Sequence, residues 1–155
     1  MDARFRELVD SLEPQYQKLL AMQPLKYRAL PRQLPSRGIY LFSEGPRHLY
    51  VGRTNRLRQR LQNHCRPSGT HFTATFAFRI ARQETGRLRA TYAKAGSRAA
   101  LTDDAAFSQA FGRAKTRVAA MDIRYVEETD PARQALLEIY AARVLETPYN
   151  DFDTH

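Results

Sequence analysis

Tyr40 and Tyr50 each end or begin a tripeptide bounded by glycine, Gly38-Ile39-Tyr40 and Tyr50-Val51-Gly52, and stand ten residues apart. A phenol can give or take a proton, but it titrates near 10 and is only about 0.1% ionised at neutral pH, so it acts as a base only beside positive charge. Arg60 and His64, four residues apart, share one face of any helix that carries them. Glu138 lies in the mostly apolar window Leu136-Leu137-Glu138-Ile139-Tyr140. A carboxylate in such a window sits half-buried at the rim of a core and needs a partner, and a divalent cation is one. The bland alternative makes both tyrosines ordinary half-buried strand residues and Glu138 a surface helix glutamate.

The elements that must position these groups follow from periodicity. Residues 38–42 and 48–52 are short β-prone runs flanking Ser43-Glu44-Gly45-Pro46-Arg47, a turn-rich link of hairpin length. The pairing of two such strands lets both phenols meet on one face. A helix follows, opened by Thr54 or Asn55, striped by Leu57 and Leu61, and ended by Pro67 and Gly69. Upstream, residues 2–22 read as a helix continuing past Pro14, and Pro24, Pro31 and Pro35 keep the next stretch extended like a strap. Residues 70–118 read as helical in pieces, with Phe72/Phe76, Leu88/Tyr92 and Phe107/Phe111 at helical spacing and the phenylalanines assigned to a core. Thr102-Asp103-Asp104 is a helix start, residues 121–127 alternate like a strand, and Asp130-Pro131 opens a last helix to about Leu145. Three short strands need helices on at least one face. The expectation is an α+β fold, a small three-stranded antiparallel sheet flanked by helices, with an N-terminal helical extension and a helical insertion.

Composition narrows the partner. The chain has 155 residues with a 43% hydrophobic share, enough for one domain with a real core. The net charge is +9, and of 25 basic residues only Lys18, Lys26, Lys94 and Lys115 are lysines. Arginine's planar fork suits phosphates, and a basic domain is expected to meet a polyanion. A codon bias toward arginine accounts for part of that count, not for the surplus over acids. Cys65 is the single cysteine, which leaves no disulfide and no cysteine-based zinc cluster. No apolar run reaches membrane-spanning length and no leader precedes the first helix, so the expected setting is the cytoplasm.

Arg37-Gly38-Ile39-Tyr40, then Tyr50-Val51-Gly52, Arg60, His64, Glu138 and Asn150, in that order and spacing, resembles the GIY-YIG nuclease superfamily. That superfamily includes homing endonucleases, some restriction enzymes and the incision domain of bacterial nucleotide-excision repair. The resemblance covers residues 37–66 and 121–151. Val51 stands where the pattern has isoleucine, a volume-conserving change. It implies a single domain over 1–155, with 1–36 as extension and strap, 37–66 and 121–151 as nuclease core, and 67–120 as insertion.

The resemblance also implies roles. Of Tyr40 and Tyr50, one takes a proton from the attacking water and the other positions that water or the phosphate. Arg60 clamps the scissile phosphate, His64 assists proton transfer or orients a tyrosine, and Glu138 holds Mg²⁺ (or Mn²⁺). Gly38, Gly52 and Asn150 support the site. Arg53 and Arg56 are nucleic-acid-binding candidates, as are Arg87 and Arg89 in a basic stretch at 79–98 that is equally well read as a solvated helix face. Arg58 is read as a solvated helix arginine. The function so implied is a metal-dependent endonuclease acting on DNA rather than RNA. A catalytically silent nucleic-acid-binding module of the same fold, or a domain for an acidic protein partner, are the rivals. Loss of Arg60 or Glu138 would mark the silent module, and both residues are present.

Overall fold

The computed structural model describes residues 1–86, 100–101 and 104–153. The described chain divides into two compact units, residues 1–59 with 121–155 and residues 60–120. In the first unit, strands β1 (Leu25–Lys26), β2 (Gly38–Glu44), β3 (Arg47–Thr54) and β4 (Asp122–Glu127) form one antiparallel sheet in the order β1-β4-β2-β3. The expected sheet had three strands. The fourth is the two-residue β1, where the extended chain after Pro24 pairs Leu25 with Ile123 along the outer edge of β4. The β2–β3 hairpin turns at Gly45-Pro46, with Gly45 at φ +57°, a left-handed conformation that glycine adopts without penalty. Its register passes from Phe42↔Tyr50 to Ser43↔His48, leaving Leu49 as an extra residue on β3.

Helices α1 (Ala3–Asp10) and α2 (Leu12–Ala21) replace the continuous helix expected over 2–22. Pro14 has no N–H to give to the preceding turn, so the helix restarts and places Pro14 in its first turn, where that loss is tolerated. Ser11 closes the break, its hydroxyl donating to the Leu8 carbonyl at 2.6 Å. After β4, the Asp130 carboxylate accepts the Arg133 N–H at 2.7 Å and Pro131 opens helix α6 (Pro131–Val144), as Asp-Pro predicts. Leu12, Tyr16 and Leu19 of α2 and Leu137, Ala141 and Ala142 of α6 bury one face of the sheet, meeting Ile39, Leu41, Val51 and Val126. Fully burying each large aliphatic side chain there contributes about 1.5–3 kcal/mol.

Helix α3 (Leu57–Cys65) begins in the first unit and carries the chain into the second. There α4 (Thr75–Glu84) and α5 (Ala105–Ala119) build their own core from Phe76, Phe78, Ile80, Phe107 and Phe111. Asp104 caps α5 by accepting the Phe107 N–H at 2.9 Å; Thr102 and Asp103 of the expected start lie outside the described residues, as do Leu88 and Tyr92. Phe72, expected in the core, is 74% exposed, its ring tilted against that of His71. It precedes α4 in a turn, so the helical period that would bury it does not extend that far. No helix among the described residues is long and apolar enough to cross a membrane.

Candidate active site

The two glycines of the paired tripeptides have separate steric reasons. A Cβ on Gly38 would stand 2.1 Å from the Val126 carbonyl oxygen, so only glycine lets β2 lie this close to β4. A Cβ on Gly52 would stand 2.2 Å from both Cζ and the hydroxyl of Tyr40. Gly52 pairs with Tyr40 across the hairpin, and its missing side chain is the seat of that phenol.

Tyr40 and Tyr50 share one face of the sheet, their ring centroids 6.3 Å apart, with Phe42 packed edge-on against Tyr40 at 5.8 Å. Tyr40 is wholly buried and Tyr50 is 7% exposed. Strand alternation sends the next side chains the other way. Val51 enters the core beneath α6, and Arg53 reaches over that face to Glu138 of α6, its Nε donating to Oε2 at 3.0 Å. The Glu138 side chain is 21% exposed, the half-buried rim position expected of it. Arg53 and Glu138 therefore meet each other, on the sheet face opposite the two rings.

Asn150 binds β3 between Tyr50 and Gly52. Its Oδ1 accepts the Val51 N–H and its Nδ2 donates to the Val51 carbonyl, both at 2.8 Å. The Thr147 hydroxyl donates to the same Oδ1 at 2.7 Å, and the Tyr149 N–H donates to the Leu49 carbonyl at 3.2 Å. An amide side chain here completes the hydrogen bonding of a strand edge, which fixes the strand that bears Tyr50.

In the second unit, Arg60 and His64 sit on α3. Arg60 donates through Nη2 to the Thr75 hydroxyl at 3.2 Å. His64 is fully buried, its ring 6.4 Å from that of Phe76. Burial, reinforced by the neighbouring Arg60 charge, pushes the His64 imidazole down to about 3, so it is neutral at physiological pH. Burial likewise pushes the Cys65 thiol up to about 12, which makes it a poor nucleophile.

Arg56 is exposed in the turn before α3, where its N–H donates to the Thr54 hydroxyl at 2.9 Å. Arg87 and Arg89 lie outside the described residues, as do Lys94 and Arg98 of the same basic stretch. Arg82 is buried, with its guanidinium over the Phe78 ring at 5.9 Å, so that part of the stretch is core and not a solvated face.

Two residues have roles the sequence reading missed. Arg58 is not merely solvated: its guanidinium donates to the carbonyls of Pro31 and Arg32 and ties down the strap. Gln134, one turn before Glu138 and 3% exposed, donates to the carbonyls of Thr54 at 3.2 Å and Glu128 at 3.3 Å. It joins the end of β3 to the helix that carries the carboxylate. A lone polar residue one turn from Glu138 on the same helix was the available signal.

Among the described residues no group of three or more His, Cys, Asp or Glu side chains could cage a metal ion. Glu138 offers one hard oxygen donor set, which fits a Mg²⁺-like cation that keeps most of its water and does not need an all-protein cage. No curated protein and no solved structure matches the chain significantly. The paired glycines, the two tyrosines and the asparagine-locked strand all fall within residues 36–150, which match the model of the GIY-YIG catalytic domain. The chain belongs to that family, whose fold is that of nucleases, generally endonucleases.

Proposed function

We propose that this protein is a divalent-metal-dependent endonuclease that hydrolyses DNA phosphodiesters by in-line attack of water. The observation that carries the reading is the seating of Tyr40 on Gly52 beside Tyr50. It makes the two tripeptides one constructed feature rather than two neighbouring strands. The net charge of +9 supports a polyanionic substrate, and DNA is chosen over RNA because most members of the superfamily act on it. The catalytic core is drawn from 37–66 and 121–151, with 67–120 as an insertion.

Of the two phenols, Tyr50 is the more exposed and is assigned to the attacking water, with Tyr40 fixing its position. Arg60 is assigned to the charge of the scissile phosphate, as a guanidinium suits. His64, neutral at working pH, orients a partner by hydrogen bonding and does not serve as a cationic acid. Glu138 would hold the metal ion. Bound there, the ion supplies neutralisation of charge building on the phosphate and on the leaving oxygen. Arg53 and Arg56 contact the nucleic-acid backbone, as do Arg87 and Arg89. Gly38, Gly52 and Asn150 hold the strand geometry.

Two observations favour the rival silent module: Glu138 already has a cationic partner in Arg53, and strand alternation puts that pair on the sheet face opposite the two tyrosine rings. Incubation with labelled single- and double-stranded DNA and RNA, with Mg²⁺ or Mn²⁺ and with EDTA, separates the two readings. The expected result is metal-dependent cutting of DNA, abolished by EDTA, by Glu138→Ala and by Arg60→Ala. Binding without cutting under every condition would establish the silent module.

A further inference from the structure

Residues 32–36 and 55–59 enclose a groove of about 620 Å³ lying wholly in the first unit. All but the last residue of its strap wall precede the region matched by the catalytic-domain model. The strap is held in place by the carbonyl contacts of Arg58 and by the Leu57 N–H donating to the Ser36 carbonyl at 2.9 Å. Leu34, Pro35 and Leu57 line it apolarly, Asn55 adds an amide, and no lining residue is acidic. Arg32 and Arg56 stand exposed on its two walls. Among the described residues neither guanidinium meets a carboxylate, carbonyl or ring. Arg58 has a structural use; these two have none.

We propose that this groove is an accessory subsite that carries the sugar–phosphate backbone of the DNA substrate, with Arg32 and Arg56 each engaging a phosphate. The inference rests on the nuclease reading and extends it to the strap. The volume lies in the range of about 300–1,000 Å³ typical of small-ligand pockets, enough for a nucleotide. Two uncompensated guanidiniums on opposite walls suit successive phosphates, and the apolar lining suits the sugars between them. Such contacts set the register of the bound strand without reading its sequence.

The test is fluorescence anisotropy of a labelled DNA oligonucleotide in EDTA across a salt series, comparing wild type with Arg32→Glu, Arg56→Glu and the double variant. Thermal melts confirm that these exposed substitutions leave the fold intact, and cleavage by wild type with Mg²⁺ is read in parallel. The expected result is affinity weakened about tenfold or more by each change, with the salt slope reduced by about two in the double variant. Arg32→Gln and Arg56→Gln should reproduce the smaller slope without introducing negative charge. If wild type cuts DNA but the double variant binds with an unchanged slope and Kd, the groove carries no backbone and the nuclease reading stands. If wild type neither binds nor cuts, both fall together.

Discussion

The hydroxyl of Tyr40 rests on the backbone of Gly52, so closely that a Cβ there would come within 2.2 Å of the oxygen. Gly52→Ala must therefore displace the phenol. Displacement of a positioned group by about 1 Å can cost about 100-fold in rate, and over-packing costs about 1–3 kcal/mol. Single-turnover cleavage and thermal melting should show both losses. If Gly52→Ala cuts at the wild-type rate, Tyr40 has no catalytic or positioning role.

Asn150→Ala removes both partners of Val51, whose side chain is fully buried. A loss of about 1–3 kcal/mol is expected in chemical denaturation, with faster hydrogen exchange at the Val51 amide. Asn150→Asp keeps the acceptor but not the donor, and should fall between the two.

Under the proposed assignment, Arg53 and a metal ion would compete for the Glu138 carboxylate. Arg53→Ala should tighten Mn²⁺ binding, read by calorimetry or electron paramagnetic resonance without any substrate, and Glu138→Gln should abolish it. Equal Mn²⁺ affinity in wild type and Glu138→Gln would remove Glu138 from the metal site.

His64 makes the fold acid-sensitive. Its imidazole titrates at about 3 in the folded chain against 6.5 ordinarily. Between those values the unfolded state binds a proton that the folded state does not, so stability falls as pH drops below about 6.5, at most by about 1.4 kcal/mol per pH unit. Denaturation midpoints for wild type and His64→Leu, followed from pH 7 to 4, should diverge in slope, with the wild type the steeper. Parallel slopes would show that His64 takes up its proton without unfolding.

Much of the hairpin that carries the two tyrosines could be read from the sequence because its signals are local. Glycine two residues from tyrosine in two β-prone runs predicts the hairpin and its shared face, and Asp130-Pro131 fixes the start of the helix that bears Glu138. What escaped the reading depends on tertiary contact. The two residues of β1 have no periodicity of their own and become a strand only by pairing with β4. Arg58 looks like any helix arginine until the strap brings two carbonyls to it. The break at Ser11 was legible in principle, since Pro14 cannot donate backward, but the apolar period running across it masked the restart. Phe72 failed for the opposite reason: it fits the helical period of Phe76 while lying outside the helix.

Strand β3 lies at an edge of the four-stranded sheet, and such an edge is a template on which another molecule's strand can zip. Here the extra residue Leu49 interrupts the ladder, the Tyr149 N–H occupies the Leu49 carbonyl, and the Asn150 amide occupies both polar groups of Val51. The segment that steadies Tyr50 is thus also a stopper against intermolecular sheet growth, and its removal would turn the strand bearing the second tripeptide into a sticky end.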